Sequence, residues 1–417
     1  MSSIKGFLRS GHTPTLISAL LYFDVSFMAW VLLGPLAPFL RDELHLTATQ
    51  QGLLTAIPLL GGSLFRPAMG ILSDRIGGRR TGLLGMVLTL LTLWFGWQFA
   101  STAAHFYALG FLLGVAGASF AVALPLASRW YPPEYQGLAM GIAGAGNSGT
   151  LLATLFAPRL AERFGWAATF GFAIAPLAVV FVIFALLVRE SPHPRAATTL
   201  RGYAAIVREA DTLSLAFLYC LTFGGFVGLA SFLTTFFHEQ YALSRVAAGD
   251  VTTIVVVAGS LLRPVGGWLA DRLGGFRLLV CLLIGFAVCL ASVAMEPSVR
   301  VAIAALTAGM GLLGMGNGAV FQIVPQRFPD RIGIVTGIVG AAGGLGGFFL
   351  PTVLGVAKDL TGGYAAGLWV FAATFVVGTF VLLELGARWS AEWTPTAVRQ
   401  AGIYSYRAAL RQLADEA

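Results

Sequence analysis

Charge is what this chain is short of. Only 11% of its 417 residues are Asp, Glu, Lys or Arg, against roughly 25% in soluble globular proteins. With 57% hydrophobic residues and a mean hydropathy of +0.82, that excludes an ordinary soluble domain. Cysteine is scarce too. Cys220, Cys281 and Cys289 all fall in apolar runs, where they read as small core residues rather than disulfide partners or metal ligands. The five histidines, at positions 12, 45, 105, 193 and 238, lie near the ends of apolar runs or in loops and show no metal spacing. No nucleophile–base constellation, metal cluster or cofactor loop stands out. We therefore expect no enzyme activity, no cofactor and no bound metal. A cleavable signal is not expected either, because the N-terminal apolar stretch is too long and lacks a small-residue cleavage site, so it reads as a membrane span.

What is present is apolar length. Runs bounded by charged or Gly/Pro turns predict twelve spans between residues 14 and 386, each near the ~20 residues that cross a bilayer. The longest polar stretch, 189–211, divides them into six and six. This gives an N-terminal six-helix bundle (1–188), a linker with one surface helix (189–211), a C-terminal six-helix bundle (212–386) and a polar tail (387–417). The net charge of +7 is not spread as a nucleic-acid surface would be. On this reading eighteen of the 26 Lys and Arg fall on one side, six on the other and two inside the membrane. That asymmetry places both termini and the linker in the cytoplasm, and the lipid bilayer, not nucleic acid, is the expected partner.

The chain also repeats itself. Arg66–Arg80, RPAMGILSDRIGGRR, returns as Arg263–Arg277, RPVGGWLADRLGGFR, with nine of fifteen positions identical at an offset of 197. Leu138–Gly149, LAMGIAGAGNSG, is answered by Ile334–Leu345, IVTGIVGAAGGL, at an offset of 196. A duplication of six spans places a substrate site near the midplane, between the halves. GILSDRIGGRR and GWLADRLGGFR resemble the two cytoplasmic loops of major facilitator carriers, between spans two and three and between spans eight and nine. The resemblance implies an all-α polytopic fold with twelve transmembrane helices and two six-helix halves related by a pseudo-two-fold axis. It gives Asp74, Arg75, Arg79, Asp271 and Arg272 structural, gate-bracing roles.

Arg66 and Arg263 are the residues that most need a reason. Arg66 lies about 12 Å from the cytoplasmic end of span two, at 1.5 Å per residue, and Arg263 has the same place in span eight. A guanidinium at that depth is costly unless it meets water, a counter-charge or substrate, and it stays protonated. The bland alternative is a pair satisfied by carbonyls or a buried acid. The functional reading is an anion clamp, because the planar fork donates two parallel hydrogen bonds to an oxyanion. Asn147 sits near the middle of span five within GIAGAGNSG, where glycine-rich packing explains the glycines but not the amide. Span eleven has Gly343 at the matching place. Asp24, inside span one, fits two roles: neutralising a nearby arginine or carrying a coupling proton. Glu384, near the end of span twelve, reads as snorkelling to the interface.

The glycine-rich segments sharpen the likeness. GAGNSG (Gly144–Gly149) and GAAGGLGGF (Gly340–Phe348) resemble the paired signature motifs of the nitrate/nitrite porter family within the major facilitator superfamily. Span one (FDVSFMAWVLLGPLAP), span seven (LYCLTFGGF) and span ten (GMGNGAVFQIVPQRFP) fit the same family, so the likeness covers essentially the whole chain. It implies Arg66 and Arg263 as nitrate-binding arginines, Asn147 and Tyr219 as polar ligands, and Phe120 and Phe223 as ring walls. Gly144, Gly146, Gly340, Gly343 and Asn317 complete the expected substrate site, with Asp24 the candidate for proton coupling. A ring face repels an anion, so the arginines must supply the attraction. We expect a monomeric carrier of the cytoplasmic (inner) membrane that imports nitrate, with nitrite as second candidate substrate and a proton as candidate co-substrate. A nitrate/nitrite exchanger, a carrier of another anion such as an organic phosphate, and a membrane enzyme or nitrate sensor are the rivals.

Overall fold

The computed structural model describes residues 4–191, 200–328 and 331–403. Among them every regular element is helical, and eleven helical stretches are long and apolar enough to cross a membrane. In the first half these are span one (Thr13–Leu44), span two (Ala48–Ile76), span three (Gly78–Gln98), span four (Ala103–Ser128) and span six (Trp166–Leu187). Span five is a helical path over 133–164 built from Pro133–Gly144, a 3-10 turn at Ala145–Ser148 and Gly149–Phe164. The second half holds span seven (Ala210–Tyr241), span eight (Arg245–Leu273), span nine (Gly275–Ala294), span ten (Val299–Arg327), span eleven (Ile332–Thr361) and span twelve (Ala365–Glu392).

The surface helix expected in the linker is Leu200–Val207. Span twelve runs on to Glu392, so Arg388 is helical, and a short helix, Pro395–Ala401, follows. Residues 192–199 of the linker and 404–417 of the tail lie outside the described residues. Turn chemistry marks the repeat. Gly77 (φ +92°) and Gly274 (φ +86°) end spans two and eight in a conformation that L side chains rarely adopt. Each closes the Asp-Arg-x-Gly-Gly segment, so the two halves turn at equivalent places.

Several spans are interrupted. Span one breaks at Val31 and Leu32, just after Trp30. Span four breaks at Ala118 and Ser119, just before Phe120. Span five has its 3-10 turn around Asn147, and span seven winds as a π-helix over Cys220–Gly224. A π-turn or 3-10 segment inside a helix re-aims the side chains beside it and exposes backbone groups. Three of the breaks adjoin or carry the rings that surround Arg66, namely Trp30, Phe120 and Phe223, and the turn of span five packs on Phe23 and Asp24 of span one.

Among the described residues, the ion pairs between the halves gather at one end. Away from the Gly77 and Gly274 turns, Arg41 pairs with Glu239 at 2.5 Å, Arg159 with Asp250 at 2.6 Å, and Arg245 with Asp42. There the Asp359 carboxylate also accepts from the amides of Ala48 and Thr49 at 3.0 and 2.7 Å, capping span two from the other half. Tyr364 donates to Glu239 at 2.7 Å; burial, and then Glu239, push its phenol above the usual tyrosine range. At the turn end, the described ion pairs stay on one side of the divide. Arg129 holds Asp74 at 2.6 Å, and Asp211 holds Arg327 at 2.5 Å and Arg388 at 2.6 Å. The turn end therefore carries no described ion pair between the two six-span halves.

Candidate functional site

Arg66 is 2% exposed, on span two between Pro58 and Pro67. Its Nε donates to the Gly117 carbonyl at 3.0 Å, its Nη1 donates to the Gly340 carbonyl of the opposite half, and Nη2 is buried without a partner. Three rings surround the guanidinium: Trp30, Phe120 and Phe223, with centroids 5.0, 5.4 and 5.3 Å from its central carbon. Ring faces stabilise a cation at these distances. They lower the cost of burying the charge without consuming its hydrogen-bond donors.

Arg263, on span eight, donates through Nη2 to the Tyr219 hydroxyl at 3.4 Å, and its Nη1 is buried without a partner. Tyr219 is in electrostatic reach of both arginines, and the two guanidiniums are in reach of each other. Tyr219 stacks on Phe223 with centroids 5.1 Å apart and planes 6° from parallel, and Phe321 closes on it at 4.8 Å. Gly343 makes this possible, since a Cβ there would lie 2.6 Å from the Tyr219 ring and 2.8 Å from that of Phe223. Gly340 makes room for Phe120 in the same way, at 2.9 Å.

The remaining expected residues divide. Asn147 is buried with its amide nitrogen unpartnered, as a ligand-facing amide would be. Asn317 is 1% exposed with neither amide atom partnered. Its neighbours Gly316 and Gly318 lie against Thr222 of span seven and the Arg263 backbone, so it stands between those two spans. Gly146 packs on Phe23 and Asp24, whereas a Cβ at Gly144 would meet nothing within 4 Å. The same holds for Gly141 and Gly337, a pair related by the repeat. Asp24 is half-buried; its Oδ1 accepts from the Ser148 hydroxyl at 2.5 Å, and its carboxylate from the Gly149 amide. Its described hydrogen bonds thus include neither arginine.

The loop residues also part company. Asp74 has Arg129, and Arg79 donates from its backbone to Glu190 at 2.7 Å and from Nη2 to Ala185 at 2.6 Å. Arg75 is exposed. In the second half Asp271 is exposed, Arg272 lies over the Trp268 ring at 3.9 Å, and Arg327, placed like Arg129, goes to Asp211 instead. Sequence reasoning missed Trp30, Ser63, Ser148 and Asp211. Asp211, an acid bonded by Arg327, Arg388, Trp389 and Trp393, was signalled by a lone carboxylate at the start of an apolar run. Trp30 closes the run FDVSFMAW at a helix break that no local residue type announces.

Two helical halves around a buried and a half-buried arginine are the build of a membrane carrier. A profile of the Major Facilitator Superfamily matches residues 19–351. The "Probable nitrate/nitrite transporter NarK2" of Mycobacterium tuberculosis is 37% identical over 88% of this chain and 95% of its own length. The "Nitrite extrusion protein" of Bacillus subtilis is 34% identical over 86% of this chain and 90% of its own. The crystal structure of a D-xylose-proton symporter superposes with a TM-score of 0.74 at 16% identity, covering 89% of this chain and 97% of the symporter. The chain belongs to the Major Facilitator Superfamily and, within it, to the nitrate/nitrite porter family. It is a transporter and not an enzyme.

Proposed function

We propose that the chain takes up nitrate across the cytoplasmic membrane, with nitrite as a second substrate, by alternating access of its halves (1–188 and 212–386) around Arg66 and Arg263. One observation carries this reading. Two guanidiniums, one from each half, the first buried and the second half-buried, lie within electrostatic reach of each other and of Tyr219, and each keeps a buried nitrogen without a partner. Such a pair repels itself unless an anion stands between its members. The walls of Phe120, Phe223 and Tyr219 leave little room and few further donors, which suits a small planar oxyanion better than a phosphate ester. The names of the nitrate/nitrite relatives support the same substrate. With the Lys/Arg-rich turn end in the cytoplasm, the ion-paired end of this conformation faces outside.

For coupling we propose proton symport, with Asp24 as the titrating group. Exchange of nitrate for nitrite is the second reading. It is favoured by the Asp24–Ser148 bond, which leaves the two arginines without a described carboxylate partner and makes the empty site costly to reorient. Proteoliposomes separate the two. Symport requires nitrate uptake into empty vesicles driven by an inward proton gradient. Exchange requires uptake into nitrite-loaded vesicles only, indifferent to pH. No uptake under either condition would overturn the proposal.

A further inference from the structure

Three consecutive carbonyls of span eleven are taken by side chains. Gly340 O accepts from Arg66 Nη1, Ala341 O from the Ser63 hydroxyl at 2.6 Å, and Ala342 O from the Cys220 thiol at 2.8 Å. Ser63 and Arg66 belong to one half and span eleven to the other, so two of the three bonds cross between halves. Ser63 precedes Arg66 by three residues, which places both on one face of span two. That face lies directly on glycine: a Cβ at Gly344 would come 3.1 Å from the Leu59 carbonyl and 3.3 Å from Ser63 Cβ. Backbone without Cβ atoms leaves its carbonyls open to such donors.

These bonds occupy the arginine that the proposed site needs. With Nε given to Gly117 and one N–H of Nη1 to Gly340, Nη2 is the nitrogen with no described bond. A two-pronged grip on a planar anion uses two nitrogens of one edge. On either edge of this guanidinium one nitrogen already serves a carbonyl. An anion oxygen brought to the Nη1–Nη2 edge lies beside the negative end of the Gly340 carbonyl dipole, and the two repel each other and compete for Nη1.

We infer that the Gly340 carbonyl is a built-in competitor for Arg66, displaced when the anion binds, and that Ser63 is the positioning residue that sets its strength. The inference rests on the reading of Arg66 as an anion ligand and deepens it. In the empty carrier, Ser63 fixes Ala341 and so holds the neighbouring carbonyl against the guanidinium. A bound anion takes over Nη1 and releases a contact between spans two and eleven, so occupancy of the site and freedom of the halves are linked. Ser63 touches no substrate; it acts through the register of span eleven.

The test is isothermal titration of nitrate into purified full-length protein: wild type, Ser63→Ala, Ser63→Thr and Ser63→Cys. Loss of the hydroxyl weakens the competitor, so Ser63→Ala is expected to bind nitrate more tightly. One neutral hydrogen bond corresponds to about three- to tenfold in affinity. Ser63→Thr keeps the donor and should return to within about twofold of wild type. Ser63→Cys, a weaker donor of similar size, should fall between, and it carries the test alone if Ser63→Ala does not fold. A merely structural serine would leave affinity unchanged or weaken it. Unchanged or weaker binding by Ser63→Ala, or by Ser63→Cys where that variant stands in, overturns the inference while leaving the carrier reading in place. So does Ser63→Thr behaving as Ser63→Ala. No nitrate binding by the wild type overturns both.

Discussion

Asp24 accepts a hydrogen bond from Ser148 at 2.5 Å, and Ser148 follows Asn147 in the 3-10 turn that interrupts span five. The carboxylate therefore grips the one irregular turn that aims Asn147. Gly149 approaches span one so closely that a Cβ there would overlap the Asp24 carbonyl. Any change in Asp24 is felt at Asn147 through a single residue.

Asp24→Asn separates coupling from support. The amide can keep one hydrogen bond to Ser148 but cannot release a proton. If Asp24 carries the coupling proton, proton-driven nitrate uptake into empty vesicles falls to background while nitrate/nitrite counterflow persists. Equal loss of both modes would make Asp24 a structural anchor of the turn.

Gly343 and Gly144 should behave oppositely when changed to alanine. At Gly343 the added methyl meets the Tyr219 and Phe223 rings at 2.6 and 2.8 Å, an overpacking that costs about 1–3 kcal/mol. It should push both rings from the arginines and weaken nitrate binding about tenfold or more. At Gly144, which is buried, the methyl meets nothing within 4 Å, so no overpacking opposes it and affinity should stay within about twofold. Nitrate titrations of the two variants check this.

Trp30→Phe tests the ring beneath Arg66. It keeps an aromatic face but removes the donor that serves the Pro58 carbonyl at 2.6 Å, a net loss of about 0.5–1.5 kcal/mol. We expect a lower melting temperature in detergent, with nitrate still raising it. A Trp30→Phe protein that melts like the wild type would mean that the Pro58 bond contributes nothing.

The ion-paired end has an alkaline limit. Tyr364 is protonated while it donates to Glu239, and its folded-state pKa lies above its ordinary value of about 10. A raised pKa contributes stability that is complete below the unfolded value and is lost as pH rises towards the folded one. Between about pH 9 and 11, around the ordinary value, the wild type should therefore lose more thermal stability than Tyr364→Phe, which has no such group. Parallel curves for the two proteins would remove Tyr364 from the clamp.

Much of this architecture was written in local patterns. Apolar length gave the spans, and the two RP…DR.GG copies gave the pairing of Arg66 with Arg263. The helix breaks were not legible. A π-turn over Cys220–Gly224 and the interruptions after Trp30 and before Phe120 depend on neighbouring spans for their unmet backbone groups, and periodicity carries no such information. Repeat symmetry misled in one place. It treats Asp74 and Asp271 alike, yet Arg129 serves Asp74 while Arg327 serves Asp211, because span twelve brings Arg388, Trp389 and Trp393 to Asp211. Asp24 was visible as a charge in a span, but its partner was not, since Ser148 lies 124 residues away.

The most direct test of the account is the nitrate affinity of the purified protein beside those of Arg66→Lys and Arg263→Lys. Lysine keeps the charge and loses the planar fork. Losing one charge-assisted hydrogen bond, about 1.5–3 kcal/mol, should weaken each variant at least tenfold, and both together should abolish measurable binding. Wild-type affinity in either single variant would contradict the clamp.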